Sequence, residues 1–363
     1  MTTDLPLNID DYERLAVEAL PRMVYDYYSG GADYELTVRE NRAAWQRLAL
    51  RPRVLVDVTT RDLTTTVLGQ TVSCPILTAP CAFNSLAHPD GELAVARATT
   101  ARGMMQVVST AATHSLEEVA AAAPDGQRWF QLYCYKDRGV TQALVERATA
   151  TGYRALCLTV DAPFVGRRER DMRNRFGLPP GLRWKNLEPY GFDKMDQTGD
   201  GSALVKYIET IWDAGVTWDS VDWLRSLTSL PIVLKGVLTA EDARLAADHG
   251  VQGIVVSNHG GRQLDGAVAT AVALAEIADA VTDRVELFVD GGIRRGGDVL
   301  KALALGARAV LIGRPYLWGL AIGGEAGVGH VLDLLRAELD LSLSLAGRNA
   351  VRSVTRALVR PGL

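Results

Sequence analysis

Cysteine is scarce in this chain. The four residues, Cys74, Cys81, Cys134 and Cys157, form no CxxC pair, and each sits in or beside an apolar run. That excludes a disulfide frame and a zinc ribbon, and it predicts buried free thiols in a reducing compartment. Histidine is sparse too, five in 363 residues, and no His/Cys/Asp spacing resembles a metal-ligand set. No uninterrupted apolar run approaches the ~18 residues that would span a bilayer. Residues 1–10 hold two aspartates and no apolar core, unlike a secretory signal, so the cytoplasm is the expected location. There is no basic tail, and charges of both signs are interspersed around a net charge of -4. Nucleic acid and acidic membrane surfaces are therefore not expected as partners. Finally, no GxGxxG turn follows an early strand, which argues against a doubly wound dinucleotide-binding sheet.

The composition is that of an ordinary globular chain, 48% hydrophobic and 23% charged. Short apolar runs at residues 75–79, 105–109, 129–133, 155–159, 232–235, 253–257, 287–290 and 309–312 alternate with helix-length segments. The runs are rich in Val, Ile and Leu and continuously apolar, as strands covered on both faces are. Eight such βα units predict an α/β fold, a closed (β/α)8 TIM barrel, as a single domain over residues 1–363. Residues 1–53 are expected to form a helical N-terminal flank, with a helix over 23–28 broken by Gly30-Gly31. A long polar insertion, about residues 167–229 after the fourth strand, is expected to act as a lid or an oligomer contact.

Barrel active sites lie at the C-terminal ends of the strands. Those positions carry Ser109, Gln131, Tyr133, Thr159, Asp161, Lys235, Ser257-Asn258-His259, Asp290-Gly291-Gly292 and Gly313-Arg314. Asp290-Gly-Gly-Ile-Arg294 and Gly313-Arg314 present glycine amides beside an arginine and ahead of a helix, which suits a phosphate group on either a substrate or a cofactor. His259 stands among polar residues and glycines directly after an apolar strand. It is the acid/base candidate, expected near its ordinary pKa, whereas His88, His114, His249 and His330 read as structural. Asp161 is placed to orient the imidazole. Arg262 and Arg168 can clamp a carboxylate, although Arg168 lies in a charged run that also reads as a solvated helix face. Lys235 ends an apolar strand, so its ammonium needs an anionic or dipolar partner.

Ser257-Asn-His-Gly-Gly-Arg-Gln-Leu-Asp265 resembles the active-site signature of the FMN-dependent α-hydroxy acid oxidases and dehydrogenases, the family of glycolate oxidase, lactate oxidase, mandelate dehydrogenase and the flavin domain of flavocytochrome b2. The likeness runs from Leu20-Pro-Arg-Met-Val-Tyr-Asp-Tyr-Tyr-Ser-Gly30 to residues 325–345. It takes in Phe130-Gln-Leu-Tyr133, Leu158-Thr-Val-Asp161, Gly166-Arg-Arg-Glu169, Leu234-Lys-Gly236 and Asp290-Gly-Gly-Ile-Arg-Arg-Gly296. The resemblance implies that His259 takes the substrate proton with Asp161 behind it. Arg168, Arg262 and Tyr27 would hold the carboxylate, and Tyr133 would contact the hydroxyl oxygen. FMN would be held by Pro80, Cys81, Ala82, Ser109, Gln131, Thr159, Lys235, Ser257, Asp290, Gly291, Gly292, Arg294, Gly313 and Arg314, with Lys235 stabilising negative charge on the reduced ring. It further implies oxidation of a 2-hydroxy acid by hydride or carbanion transfer, dioxygen as acceptor, hydrogen peroxide as product, and a homotetramer.

Some positions depart from the pattern. Plant-type glycolate oxidases carry threonine where this chain has Cys81, and a bulky tryptophan where it has Ala111. A missing indole leaves room for a substrate side chain, so lactate or a larger 2-hydroxy acid is expected over glycolate, with Phe83 and Ile208 refilling part of the space. Ala82 matches the oxidases, where mandelate dehydrogenases carry glycine. The rival readings are a dehydrogenase with a non-oxygen acceptor, a lactate 2-monooxygenase, a flavin-free barrel enzyme acting on a phosphorylated substrate, and a non-catalytic binding barrel.

Overall fold

The computed structural model describes residues 5–192 and 202–361. At its centre eight parallel strands close into a barrel: β1 Ile76–Thr78, β2 Met105–Ser109, β3 Gln127–Leu132, β4 Leu156–Thr159, β5 Ile232–Val237, β6 Gly253–Val256, β7 Glu286–Val289 and β8 Ala309–Ile312. Each pairs with the next, and β8 returns to β1. All eight expected strands are present, with ends displaced by a residue or two. Closure leaves no edge to protect.

Leu77, Met105, Val107, Trp129, Cys157, Val233, Val255, Phe288 and Leu311 form one buried cluster. Trp129 on β3 and Phe288 on β7 meet edge to face at 5.2 Å, and since those strands are not neighbours the contact crosses the barrel interior. A hairpin of Thr65–Val67 and Gln70–Val72 adds Val67 and Val72 to the same cluster and bonds to Glu286 at the start of β7. It therefore plugs the N-terminal end of the barrel, and each buried valine contributes roughly 1.5–3 kcal/mol.

Three helices precede the barrel: α1 Ile9–Ala19, α2 Arg22–Ser29 and α3 Leu36–Gln46. The expected helical flank is thus present, followed by Leu48–Leu50, which pairs antiparallel with Val359–Pro361. The crossovers are α4 Gly91–Thr100, α5 Leu116–Ala122 and α6 Arg138–Ala150. After β4 come α7 Glu169–Arg173, α8 Ala203–Ile211 and α9 Trp218–Leu227; α10 Ala240–Asp248, α11 Thr270–Val281, α12 Gly296–Ala304 and α13 Arg314–Leu345 complete the ring. Gly323 and Gly324 interrupt α13 with non-helical angles.

The segment after β4 needs a correction. Its last part is α9, which packs on α6 and places Trp223 under the Arg138 guanidinium at 4.8 Å. It is the ordinary β4–β5 crossover helix, so the insertion ends near residue 216 rather than 229. Only Ser220, Val221 and Leu224 of α9 are buried, a stripe too thin to stand out among its polar residues. Part of the expected insertion, residues 193–201, lies outside the described residues. Among the described residues all four cysteines are free, no helix is long and apolar enough to cross a membrane, and no metal-ligand cluster forms.

Candidate active site

A cleft opens at the C-terminal ends of the strands. On one side of it, the β7 and β8 loops bring Gly291, Gly292, Arg294, Gly313 and Arg314 to the wall. Gly292 has a φ of +82°, and a Cβ there would lie 2.2 Å from the Asn41 carbonyl oxygen, so only glycine lets this turn press against α3. Trp45 Nε1 donates to the Gly291 carbonyl at 2.8 Å, and Thr270 Oγ1 to that of Asp290 at 2.6 Å.

Arg294 is buried and Arg314 half-buried, and neither has a carboxylate in ion-pair distance among the described residues. Burial lowers the pKa of both, that of Arg314 to about 9. Arg314 gives its donors to the carbonyls of Tyr28 at 2.9 Å, Gly260 at 3.0 Å and Gly30 at 2.9 Å. Arg294 Nε and Asp290 Oδ1 are buried without partners. Unpaired cations beside glycine amides are what an anionic group would satisfy, so this half of the cleft fits the phosphate and polar edge of FMN.

At the barrel centre Lys235 Nζ donates to Ser257 Oγ at 3.0 Å and lies 3.4 Å from Asp290 Oδ2. Burial opposes the ammonium, but Asp290 and Asp161 outweigh it and raise its pKa. A break in register between Lys235 and Val237 marks a bulge at Gly236. There φ is +114°, and a Cβ would come 2.5 Å from Asp161 Cβ. The glycine thus lets Lys235 and Asp161 share the centre of the site. Behind them Gln131 accepts from Ser109 Oγ at 3.2 Å and donates to Thr159 Oγ1 at 3.0 Å, a chain across three strand tips.

His259 Nδ1 pairs with Asp161 Oδ1 at 2.8 Å. The histidine backbone is left-handed, φ +57°, which costs about 1–2 kcal/mol for a residue with a Cβ. Its amide bonds to Ser257 Oγ at 3.1 Å. The expectation of an ordinary pKa is corrected. Burial lowers it, Lys235 adds to that, and Asp161 only partly opposes, so the resting imidazole is neutral. Asp161 itself is held low because His259 and Lys235 outweigh its own burial.

Arg168 and Arg262 both reach the cleft. Arg168 is not on a solvated face; it precedes α7 with its side chain 10% exposed, and burial, then Arg262, bring its pKa down to about 10. Arg262 is braced by the carbonyls of Tyr27 and Gly30, and its guanidinium lies 4.9 Å from the Tyr27 ring centre. Tyr27 stacks on Phe176 at 4.1 Å, and Tyr133 on Trp212 at 3.8 Å. Burial raises the pKa of both phenols, which keeps them protonated donors.

The other side of the cleft is apolar. Ala111 and Phe83 line it together with Trp184, Leu204, Ile208 and Trp212 from the segment after β4. Of the residues singled out from sequence, Pro80, Cys81, Ala82, Ser109, Lys235, Asp290 and His259 also line the cleft. Asp161, Gln131, Thr159 and Ser257 sit behind that wall. His88, His114, His249 and His330 lie outside it, the last three bonded to Glu92, Asp222 and Tyr12. Sequence reasoning missed Trp184, Leu204 and Trp212, which follow no motif. It also missed Asn41, whose signal was a polar residue on the buried face of α3.

Comparison with known proteins places the chain in a family. A family model described as FMN-dependent dehydrogenase matches residues 16–361. An L-lactate oxidase of Nostoc sp. is 53% identical over 352 residues, 96% of each chain. Glycolate oxidase 3 of Arabidopsis thaliana is 52% identical over 353 residues, covering 97% of this chain and 95% of its own. The crystal structure of a mandelate oxidase with (S)-4-hydroxymandelic acid superposes with a TM-score of 0.94 at 44% identity, over 99% of this chain and 100% of the other.

Proposed function

The chain belongs to the FMN-dependent dehydrogenase family, and from that premise we propose that it oxidises an L-2-hydroxy acid, lactate or larger, to the 2-oxo acid and hydrogen peroxide. The observation that carries this reading is His259, paired with Asp161 at 2.8 Å and facing a cleft that also holds Arg168, Arg262 and an open apolar wall. Near-equal identity to a lactate and a glycolate oxidase does not choose the substrate. The small Ala111 on that wall supports a substrate side chain larger than that of glycolate.

Arg168 and Arg262 bind the substrate carboxylate, and the braces on Arg262 fix its fork before substrate arrives. The carboxylate also relieves their mutual repulsion, which after burial is the next cause of the lowered Arg168 pKa. Tyr133 donates to the hydroxyl oxygen. His259 Nε2 takes a proton from the substrate while Asp161 stabilises the imidazolium that forms. FMN supplies the two-electron acceptor, and dioxygen takes the electrons on. The residues that would hold it are Pro80, Cys81, Ala82, Ser109, Gln131, Thr159, Lys235 and Ser257, with Asp290, Gly291, Gly292, Arg294, Gly313 and Arg314 on the phosphate side. Lys235 would supply a fixed positive charge to stabilise the reduced cofactor. Residues 1–363 act as one domain, with the segment after β4 as a lid whose Trp184, Leu204 and Ile208 exclude water. The enzyme works in the cytoplasm as a homotetramer; Phe164 and Leu264, 62% and 76% exposed, are contacts such an assembly would cover.

The test is anaerobic mixing of the yellow protein with a panel of 2-hydroxy acids, followed by air. Bleaching fastest with lactate or larger acids, then prompt recovery with peroxide, is expected. Slow recovery in air would make it a dehydrogenase with another acceptor, and the absence of bleaching would overturn the substrate class.

A further inference from the structure

His259 holds a left-handed backbone that its side chain disfavours, so the contacts around it must sustain it. One set of these contacts comes from the N-terminal flank. Asn41 on α3 and Asn258, the neighbour of His259, face each other as a reciprocal amide pair. Asn41 Nδ2 donates to Asn258 Oδ1 at 2.8 Å, and Asn258 Nδ2 donates to Asn41 Oδ1 at 2.8 Å. Both residues are buried, 2% and 4% exposed. The remaining capacity of each amide is used to shape loops. Asn258 Oδ1 accepts from Gly261 N at 3.2 Å, and Asn258 Nδ2 also donates to Val268 O at 3.1 Å; Asn41 Oδ1 accepts from Thr270 N at 3.3 Å. One turn earlier on α3, Thr37 N donates to Asp265 Oδ1 at 2.9 Å and Thr37 Oγ1 accepts from Gly266 N at 2.9 Å. The loop carrying the base is therefore moulded on α3 from residue 258 to residue 270.

The same asparagine touches the phosphate side through different atoms. Its backbone carbonyl is the stop against which Gly292 closes, whereas its amide serves Asn258. Backbone and side chain of one residue thus support the two halves of the site separately.

We propose that Asn41 is a positioning residue for the base. It acts through Asn258 to hold His259 in its left-handed conformation, so that a helix outside the barrel sets the rate of proton removal. This rests on His259 being the base. The roles of the two asparagines are directional: a buried amide that loses its partner is left with an unmet donor and acceptor, and the loop must move to find others. A shift of ~1 Å in a catalytic group is worth about 10²-fold in rate.

The test uses holoenzyme of Asn41→Ala, Asn258→Ala and the double variant, with Asn41→Asp as an isosteric alternative should the alanine variant fail to fold. Anaerobic flavin reduction gives a rate constant at saturation and an apparent substrate Kd. Titration of apoprotein gives the FMN Kd. The expected result for Asn41→Ala is a reduction constant lowered by about tenfold to 10²-fold. The FMN Kd should stay within about threefold, because Arg294 and the backbone stop are untouched. The substrate Kd should rise by less than the reduction constant falls, because Arg262 lies on the same loop but is also braced by the Tyr27 and Gly30 carbonyls. The double variant should be no slower than the slower single one, since partners in one network do not add. An unchanged reduction constant overturns the proposal, as do additive losses or FMN release from a protein whose remaining holo fraction reduces normally. His259→Ala, run in parallel, separates the two readings. If it reduces flavin at the normal rate, the base assignment itself fails; if it is slow and Asn41→Ala is not, only the positioning role fails.

Discussion

Arg294 and Gly292 on one side of the cleft, and Leu204 and Ile208 on the other, are held in place by opposite means. The first pair belongs to short βα turns locked by backbone contact, with Gly292 pressed on the Asn41 carbonyl and Trp45 bonded to Gly291. The second pair sits on α8, part of a long connection that reaches over the mouth and anchors by burying apolar side chains. Directional contacts admit few substitutes, so the first side is built for one ligand shape. Apolar packing tolerates exchange of volume, so the second side can change from one substrate side chain to another. One cleft thus combines a side built for a fixed ligand with a side built for exchange.

The largest effect is expected between the two sides, at the base. His259→Ala should keep FMN bound and lower the rate of flavin reduction by about 10²–10⁴-fold in stopped-flow mixing; near-normal reduction would remove His259 from its role. On the directional side, Arg294→Ala should weaken FMN binding by roughly ten- to a hundredfold, the value of a charged hydrogen bond. Titration of apoprotein that shows an unchanged Kd would leave the unpaired Arg294 without a ligand.

On the apolar side, Ala111→Trp should leave FMN affinity unchanged and move the ratio of kcat/KM toward glycolate by about tenfold or more, the scale of a refilled pocket. An unaltered ranking would show that Ala111 does not meet the substrate. The smallest effect is in pH. Because burial lowers the pKa of His259, kcat/KM should hold steady down past 6.5 and fall only on the acid side of that ordinary value, where the base gains its proton. Asp161→Asn removes the group that raises this pKa, so the acid limb should move further down. A limb above 6.5 would contradict the buried, neutral imidazole.

What could be read from sequence follows the same division. Eight continuous apolar runs specified the barrel because a sheet buried on both faces has no polar alternation to blur it. Asp290-Gly-Gly and Ser257-Asn-His-Gly-Gly-Arg stood out because tight turns and close backbone approach admit few residue types. Trp184, Leu204 and Trp212 did not, since a residue that packs over the mouth looks like any other core residue. The α9 boundary was lost to a thin apolar stripe. Asn41 showed only as a polar residue on the buried face of α3; its role stayed hidden because its partner lies 217 positions away and only the fold brings the two amides together. The lowered pKa of His259 likewise depends on burial that adjacent polar residues concealed.

The two unpaired arginines carry a thermodynamic consequence. Without an anion beside them, the folded chain holds desolvated charge that the unfolded chain would leave in water, so the apoprotein folds against an electrostatic load. A ligand that binds only the folded state adds RT ln(1 + [L]/Kd), about 2.7 kcal/mol at a hundredfold excess over Kd. The cofactor then takes part in the folding equilibrium as well as in the chemistry, and how much native enzyme a cell holds becomes a function of how much FMN it can spare.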